Sequence, residues 1–165
     1  MTKAPTAQPT DLADCAATLL LRLYRSRQAS PVEATKAVLA RIDRLNPVLN
    51  AFCHQAPDEA LAAARASETR WQRGVPAGEL DGVPVSIKDL ILVKGWPTRR
   101  GSRTVDPAQA WDVDAPAAAR LREAGAVGAD REGAHAGRHR GGRAPGRSTR
   151  RLRRIPRVAR DPGQR

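Results

Sequence analysis

The hydrophobic periodicity of this chain stops after Val127, and this break limits what the sequence can fold into. Before it, apolar residues recur at helix and strand spacings, whereas residues 128–165 are mostly Arg, Gly, Ala and Pro with neither spacing. A buried core needs such spacing because each helix or strand must turn one face inward. We therefore divide the chain into a flexible arm (1–10), a folded part (11–127) and an Arg/Gly-rich tail (128–165) that we expect to be disordered.

The net charge of +12 is concentrated in the tail. Residues 1–127 carry 17 basic and 14 acidic side chains, whereas residues 128–165 carry 12 Arg and three acidic residues. A nucleic-acid interaction would therefore depend on the tail, whose arginines could neutralise phosphates. The tail has no Phe, Tyr or Trp on which a base could stack. Nucleic-acid binding thus stays an alternative function of a different class. It requires that the tail is a genuine part of the protein.

The remaining composition excludes several classes of protein. The longest apolar run contains Arg22 and is too short to span a membrane. The first residues lack the layout of a signal peptide, so we expect a cytoplasmic protein without a membrane partner. Cys15 and Cys53 lie far apart, which predicts two reduced thiols rather than a disulfide. His135 and His139 lie among glycines, which disfavours a helical metal pair. We therefore expect neither a metal nor a cofactor.

Helix-start signals and apolar spacing predict helices that alternate with short strands, which is typical of an α/β layer fold. The expected helices cover residues 11–27, 30–45, 57–72 and 114–124, and the expected strands cover 49–53 and 83–87. The strongest start signal is Ser30-Pro31-Val32-Glu33, a capping box with proline at the first helical position. Asn46-Pro47 should end that helix. Because aromatic residues make up only 3 % of the chain, the core must be built from Ala, Leu, Val and Ile.

Lys88 is the candidate catalytic residue. It follows the apolar stretch Val83–Ile87, so it would lie at the end of a strand and partly out of water. Loss of water disfavours the ammonium form and lowers the pKa of a lysine. A neutral lysine can act as a general base for a hydroxyl nucleophile. The alternative, from the residues alone, is a strand-end lysine that points into solvent.

Several segments, in their order and spacing, resemble the amidase signature enzymes. The resemblance runs from about Leu12 to Val127. It is carried by Ser30–Glu33, Arg41–Phe52, Leu80–Asp89, Gly101-Ser102, Asp114-Ala115-Pro116 and Leu121–Val127. It implies an α/β/α fold around a mixed sheet, of which this chain would supply the N-terminal part. It also implies hydrolysis of a carboxylic amide to acid and ammonia by a Ser–cis-Ser–Lys triad, with Lys88 as the lysine.

The two serines of that triad have no match in this sequence. In the family, the lysine takes a proton through a bridging serine in a Gly-Gly-Ser-Ser-Gly loop, and a later serine attacks the amide carbon while backbone amides stabilise the oxyanion. Ser86, Ser102 and Ser148 stand in other contexts. We therefore expect a truncated amidase that is inactive as written, because a triad acts as a unit. The intact enzyme would act on a small carboxamide.

The resemblance also extends to the A subunit of tRNA-dependent amidotransferases, which makes ammonia from glutamine. A fragment of the A subunit of glutamyl-tRNA(Gln) amidotransferase is therefore the alternative within the family. The lost C-terminal part would hold the substrate determinants, so the sequence does not separate the two.

The composition of the tail fits a change of reading frame near codon 127. Read one base later, the codons of residues 128–136 permit Val-Leu-Ile-Gly-Lys-Ala-Pro-Thr-Pro. Family members carry an apolar strand, then Gly-Lys and Thr-Pro, at this point. Twelve Arg without a Lys is typical of GC-rich DNA read out of frame. We interpret residues 128–165 as the product of a frameshift, either natural or introduced in sequencing.

Overall fold

The computed structural model describes residues 11–106 and 108–132. This part of the chain contains the helices α1 (Ala17–Arg25), α2 (Pro31–Leu49), α3 (Pro57–Arg73) and α4 (Pro116–Glu123), and the strands β1 (Phe52–Gln55), β2 (Pro84–Lys88) and β3 (Val127–Glu132). The strands form one sheet in the order β1-β3-β2, with β3 antiparallel to β1 and parallel to β2. The mixed sheet and its helices confirm the α/β class.

The capping box predicted at the start of α2 is present. The Ser30 hydroxyl accepts a hydrogen bond from the Glu33 amide at 3.2 Å, and the Glu33 carboxylate accepts one from the Ser30 amide at 2.8 Å. Two amides that the helix itself leaves without partners are thereby satisfied. The third predicted helix is also confirmed, since α3 begins at Pro57 and ends one residue beyond the expected boundary.

The predicted end of α2 at Pro47 is wrong. The helix continues to Leu49 and ends at Asn50, which adopts a left-handed φ of 52°. Pro47 removes one amide donor, but it lies in the last turn, where little helix remains to be broken. The Asn46 side chain stabilises this end by accepting from the Phe52 amide at 2.9 Å and donating to its carbonyl at 3.1 Å. The following strand therefore begins at Phe52 rather than at Leu49.

The first predicted helix is divided in two. A single 3-10 turn (Leu12–Asp14) is followed by extended backbone at Cys15 and Ala16, and α1 begins only at Ala17. Arg41 of α2 explains the division, because its guanidinium donates to Asp11 at 2.6 Å and to Asp14 at 2.9 Å. These bonds hold the turn against α2 instead of letting it continue as helix.

Strand β3 continues after Val127, where the sequence pattern predicted that no further helix or strand would form. Its residues after Val127 lack a strand period, yet its backbone pairs with both β1 and β2. The strand forms because its backbone lies between two other strands, and not because its side chains follow a strand pattern. The predicted domain boundary at residue 128 therefore falls inside a strand. The arm and the rest of the tail, with His135, His139 and Ser148, lie outside the described residues.

The core contains the small residues that the composition predicted, together with two aromatic residues that it did not. Ala60 and Ala64 of α3 are fully buried against Val127, so the helix lies close to the centre of the sheet. Tyr24 and Trp96 are also buried, in two neighbouring clusters. Cys15 and Cys53 form no disulfide within the described residues, and Cys53 is exposed.

Candidate active site around Lys88

Lys88 is the last residue of β2, and its side chain faces solvent. Ile87 is buried, while Ser86 and Lys88 lie on the opposite, exposed side of the strand. The expectation that Lys88 lies partly out of water is thus wrong for this structure, and its geometry is that of the alternative stated above. Strand β2 is an edge of the sheet within the described residues, with β3 as its single neighbour.

The residue after Lys88 fixes a distant loop to the end of β2. Asp89 is 2 % exposed, and its carboxylate accepts hydrogen bonds from the Arg99 amide at 2.9 Å and the Gly101 amide at 3.2 Å. A carboxylate bonded to two backbone amides holds them firmly, because hydrogen bonds to a charged group are stronger than those between neutral groups. Asp89 therefore joins the loop and the lysine-bearing strand into one unit.

The loop held by Asp89 is a tight turn with an arginine at its tip. The Ser102 amide donates to the Arg99 carbonyl at 2.8 Å, which closes a four-residue turn. Its two central residues, Arg100 and Gly101, have φ angles of 55° and 67°. Positive φ at both central positions is the mark of a type I′ turn. Glycine accepts this conformation freely, whereas Arg100 is held in it against the preference of its Cβ.

The end of β2 and its loop are strongly cationic. Between residues 88 and 103 the only acid is Asp89, which is buried and already bonded to the turn. The exposed cations of this stretch are Lys88, Lys94, Arg99, Arg100 and Arg103. None of them forms a salt bridge within residues 11–106 and 108–132. The surface beside Lys88 therefore carries positive charge that no described side chain neutralises.

The start of β2 is fixed by a buried carboxylate, that of Asp81. The side chain of Asp81 is fully buried, and it accepts hydrogen bonds from Arg70 Nε at 3.0 Å and the Ala77 amide at 2.8 Å. The Asp81 carbonyl accepts a further bond from the Trp71 indole at 3.0 Å. Next to it, the Gly82 carbonyl accepts from the buried Tyr24 hydroxyl at 3.2 Å. These contacts tie the chain before β2 to α1 and α3.

Burial acts to raise the pKa of the Asp81 carboxyl, but the hydrogen bonds from Arg70 and Ala77 outweigh it. The pKa therefore lies below its ordinary value, and the group stays charged inside the protein. For Tyr24 the balance is different, because burial raises the pKa of its phenol far above the usual range. Tyr24 is thus a neutral donor at every physiological pH.

Other predicted features concern Ser102, metals and the membrane. The Ser102 hydroxyl shares a hydrogen bond with the Thr104 hydroxyl at 2.8 Å, just beyond the turn. The described residues contain no cluster of three or more His, Cys, Asp or Glu that could hold a metal ion. None of their helices combines the length and the apolar character that crossing a membrane requires.

The sequence predicted Lys88 as a site residue, but it did not predict that Asp89 and Arg100 belong to the same structural unit as Lys88. Two signals were available. An acidic residue directly after a strand is well placed to accept from loop amides, and Arg100-Gly101 has the glycine that a turn with positive φ needs. Neither signal shows that residues ten positions apart meet, which depends on the tertiary fold.

The segment that carries this geometry is similar to known proteins in sequence. Residues 33–129 match the Amidase family model. The chain is 54 % identical over 72 residues to the A subunit of glutamyl-tRNA(Gln) amidotransferase from Chloroflexus aurantiacus, a match that covers 44 % of this chain and 15 % of the relative. It is 42 % identical over 124 residues to AmiD of Mycobacterium tuberculosis, which bears the name of an amidase, over 71 % of this chain and 25 % of the relative.

The fold agrees with solved structures of the same group. A bacterial aryl acylamidase of the amidase signature enzymes superposes with a TM-score of 0.64 at 28 % identity, over 76 % of this chain and 26 % of that one. The chain spans between 15 and 25 % of the length of the two curated relatives. Because the family model covers more than half of the chain and the fold matches, this chain belongs to the amidase signature family.

Proposed function

We propose that Lys88 is the lysine of a Ser–cis-Ser–Lys triad and that the complete protein hydrolyses a carboxylic amide to an acid and ammonia. The observation that carries this proposal is the position of Lys88 at the carboxyl end of β2, inside the segment that matches the family. In the complete site, neutral Lys88 would take the proton of the bridging serine, which takes that of the nucleophile. The serine oxygen then bonds to the amide carbon, ammonia leaves, and water releases the acid.

We further propose that the chain as written does not catalyse this reaction. Its 165 residues contain the lysine segment but not the Gly-Gly-Ser-Ser-Gly loop of the family. Activity of a triad collapses when a single member is lost. The exposure of Lys88 supports the same view, because a lysine that serves as a general base must be held out of water.

A frameshift near codon 127 is our explanation for this sequence, and the place of β3 supports it. Central strands of α/β folds, which helices cover on both faces, read as nearly continuous apolar runs. β3 has neighbours on both sides, yet its sequence is Val-Gly-Ala-Asp-Arg-Glu. The other frame permits Val-Leu-Ile at residues 128–130, which suits that position. The match to the family model also ends at residue 129.

The exposed apolar surface of α2 supports the proposal that this chain is part of a larger domain. Leu45, Val48 and Leu49 are 40 %, 80 % and 62 % exposed. Leu45 and Leu49 line an apolar groove of about 290 Å³ between α2, β1 and β2. Contiguous apolar surface of this kind marks a place where other elements pack.

The experiment that tests the proposal is resequencing of the gene from codon 110 to several hundred bases beyond the stop codon. We expect a downstream frame that encodes Gly-Gly-Ser-Ser-Gly and a later serine. Lys88→Ala in the repaired gene should then abolish amide hydrolysis, while Lys36→Ala, at an exposed position of α2, should not. A confirmed frame with nothing amidase-like after it would refute the catalytic proposal. The tail would then be genuine, and salt-dependent DNA binding should be compared with a chain that ends at residue 132.

A second function within the family is favoured by one observation. The 54 % identity over 72 residues is to the A subunit of an amidotransferase, and it exceeds the 42 % identity to AmiD. We therefore keep glutamine as an alternative amide substrate, with the ammonia passed to a partner protein. Glutaminase activity of the repaired protein that depends on the other amidotransferase subunits would support this alternative.

A further inference from the structure

We propose that Arg100 is a specificity residue that recognises a negatively charged group on the amide substrate. The inference rests on the proposed function, because it takes Lys88 to mark the reaction site. It assigns to the protein a substrate class, namely carboxamides that also carry an anionic group such as a carboxylate.

The conformation of Arg100 is the first argument. It occupies the first central position of a turn in which both central residues have positive φ. Asn, Asp and Gly are the residues that suit this position, because Gly has no Cβ and the short polar side chains of Asn and Asp can hydrogen-bond locally. Residues held against their conformational preference gather at ligand-binding sites, where surrounding contacts impose the conformation.

The anchoring of the turn is the second argument. The amides on either side of Arg100, those of Arg99 and Gly101, both donate to the Asp89 carboxylate. Thr98, directly before the turn, is 2 % exposed, so the turn enters from the protein interior. Arg100 is therefore presented by a rigid support that is continuous in sequence with Lys88. A guanidinium held in this way loses little freedom when it binds an anion.

Charge is the third argument. Arg99, Arg100 and Arg103 are exposed and have no acidic partner among the described residues. Such a group of like charges raises the local concentration of anions. Arginine suits a carboxylate in particular, because its planar fork can donate two parallel hydrogen bonds.

The test uses the 165-residue chain and two reagents that deliver the same acetyl group to lysine. One is the neutral N-hydroxysuccinimide ester of acetic acid, and the other is its sulfonated, anionic analogue. In both, the lysine nitrogen bonds to the acetyl carbon, the ester C–O bond breaks, and the proton goes to water. Acetylation at each lysine is measured by mass spectrometry, and the ratio of anionic to neutral rates is compared between Lys88 and the exposed Lys36.

We expect this ratio to be about twofold higher at Lys88 than at Lys36, because Arg100 and the other exposed cations beside Lys88 each act weakly through water. Arg100→Gly, which suits the turn, should remove about half of the excess. The matched control is Arg27→Gly, because Arg27 is also exposed and has a φ of 57°. That variant loses the same charge and should leave the ratio at Lys88 unchanged.

Two results would overturn the inference: an equal ratio at both lysines in the unmodified chain, or the same change in the Arg100→Gly and Arg27→Gly chains. Arg100→Asn, which also tolerates the left-handed conformation, provides a second neutral variant if glycine alters the turn. The proposed role of Lys88 is tested separately, by the gene sequence. Failure of that proposal can therefore be distinguished from failure of the inference about Arg100.

Discussion

At the scale of the residue, Asp81 shows how one buried carboxylate can hold in place the chain that leads into β2 and Lys88. Its pKa is lowered from an ordinary value of 3.8 because its hydrogen bonds from Arg70 and Ala77 outweigh burial. A group with a depressed folded-state pKa stabilises the fold above its unfolded value, and this stabilisation is lost as pH falls through the folded value. We expect the free energy of unfolding, as measured by urea denaturation, to fall as the pH drops through and below 3.8.

Asp81→Asn should make the unfolding free energy less dependent on pH in that range, because the amide cannot titrate. It should also lower stability at neutral pH by about 2 kcal/mol, since Arg70 loses its charged partner. The exposed Asp112 is the control, and Asp112→Asn should leave both quantities nearly unchanged. An Asp81→Asn protein with the pH dependence of the unmodified chain would contradict this account.

At the scale of the element, two glycines with similar backbone conformations allow the cost of backbone strain to be distinguished from the cost of steric crowding. Gly82 and Gly74 have φ angles of 84° and 72°. A Cβ at Gly82 would lie 2.6 Å from the Ser67 hydroxyl and 2.7 Å from the Pro31 ring, whereas a Cβ at Gly74 would meet nothing within 4 Å. Gly74→Ala should cost about 1 kcal/mol from backbone strain. Gly82→Ala should cost at least about 3 kcal/mol, as read by chemical denaturation. Equal losses would show that crowding at Gly82 is relieved without cost.

Local signals predicted the elements that depend on local chemistry. The capping box at Ser30 and the start of α3 at Pro57 were both found from sequence. The end of α2 was not, because the Asn46 bonds to Phe52 join residues across a turn. β3 was missed for a related reason, since its pairing partners lie far away in the chain. In the candidate site, Lys88 was predicted from its position after a strand and stays a prediction, whereas the contact between Asp89 and the turn exists only in the folded chain.

At the scale of the whole molecule, the central strand β3 is the element whose sequence fits its position in the sheet least well. A Cβ at Gly128 would lie 3.4 Å from the Trp96 indole, so a larger side chain can pack there with a small adjustment. Gly128→Val supplies the residue that the other reading frame permits. It should raise the free energy of unfolding by about 1 kcal/mol, since it removes the entropy cost of glycine and adds apolar contact. Gly128→Ala should gain about half as much, and a loss of stability in both variants would contradict this account.

The strand order also has a consequence for the order in which the protein is made. β1 and β2 are synthesised early, yet they do not pair with each other, because β3 lies between them. Neither strand can complete its pairing until residues 127–132 have left the ribosome, so the nascent chain must carry two unpaired strand edges until then. A frame change near codon 127 alters the very segment that relieves this exposure. Its first effect would therefore fall on chaperone demand and aggregation during translation.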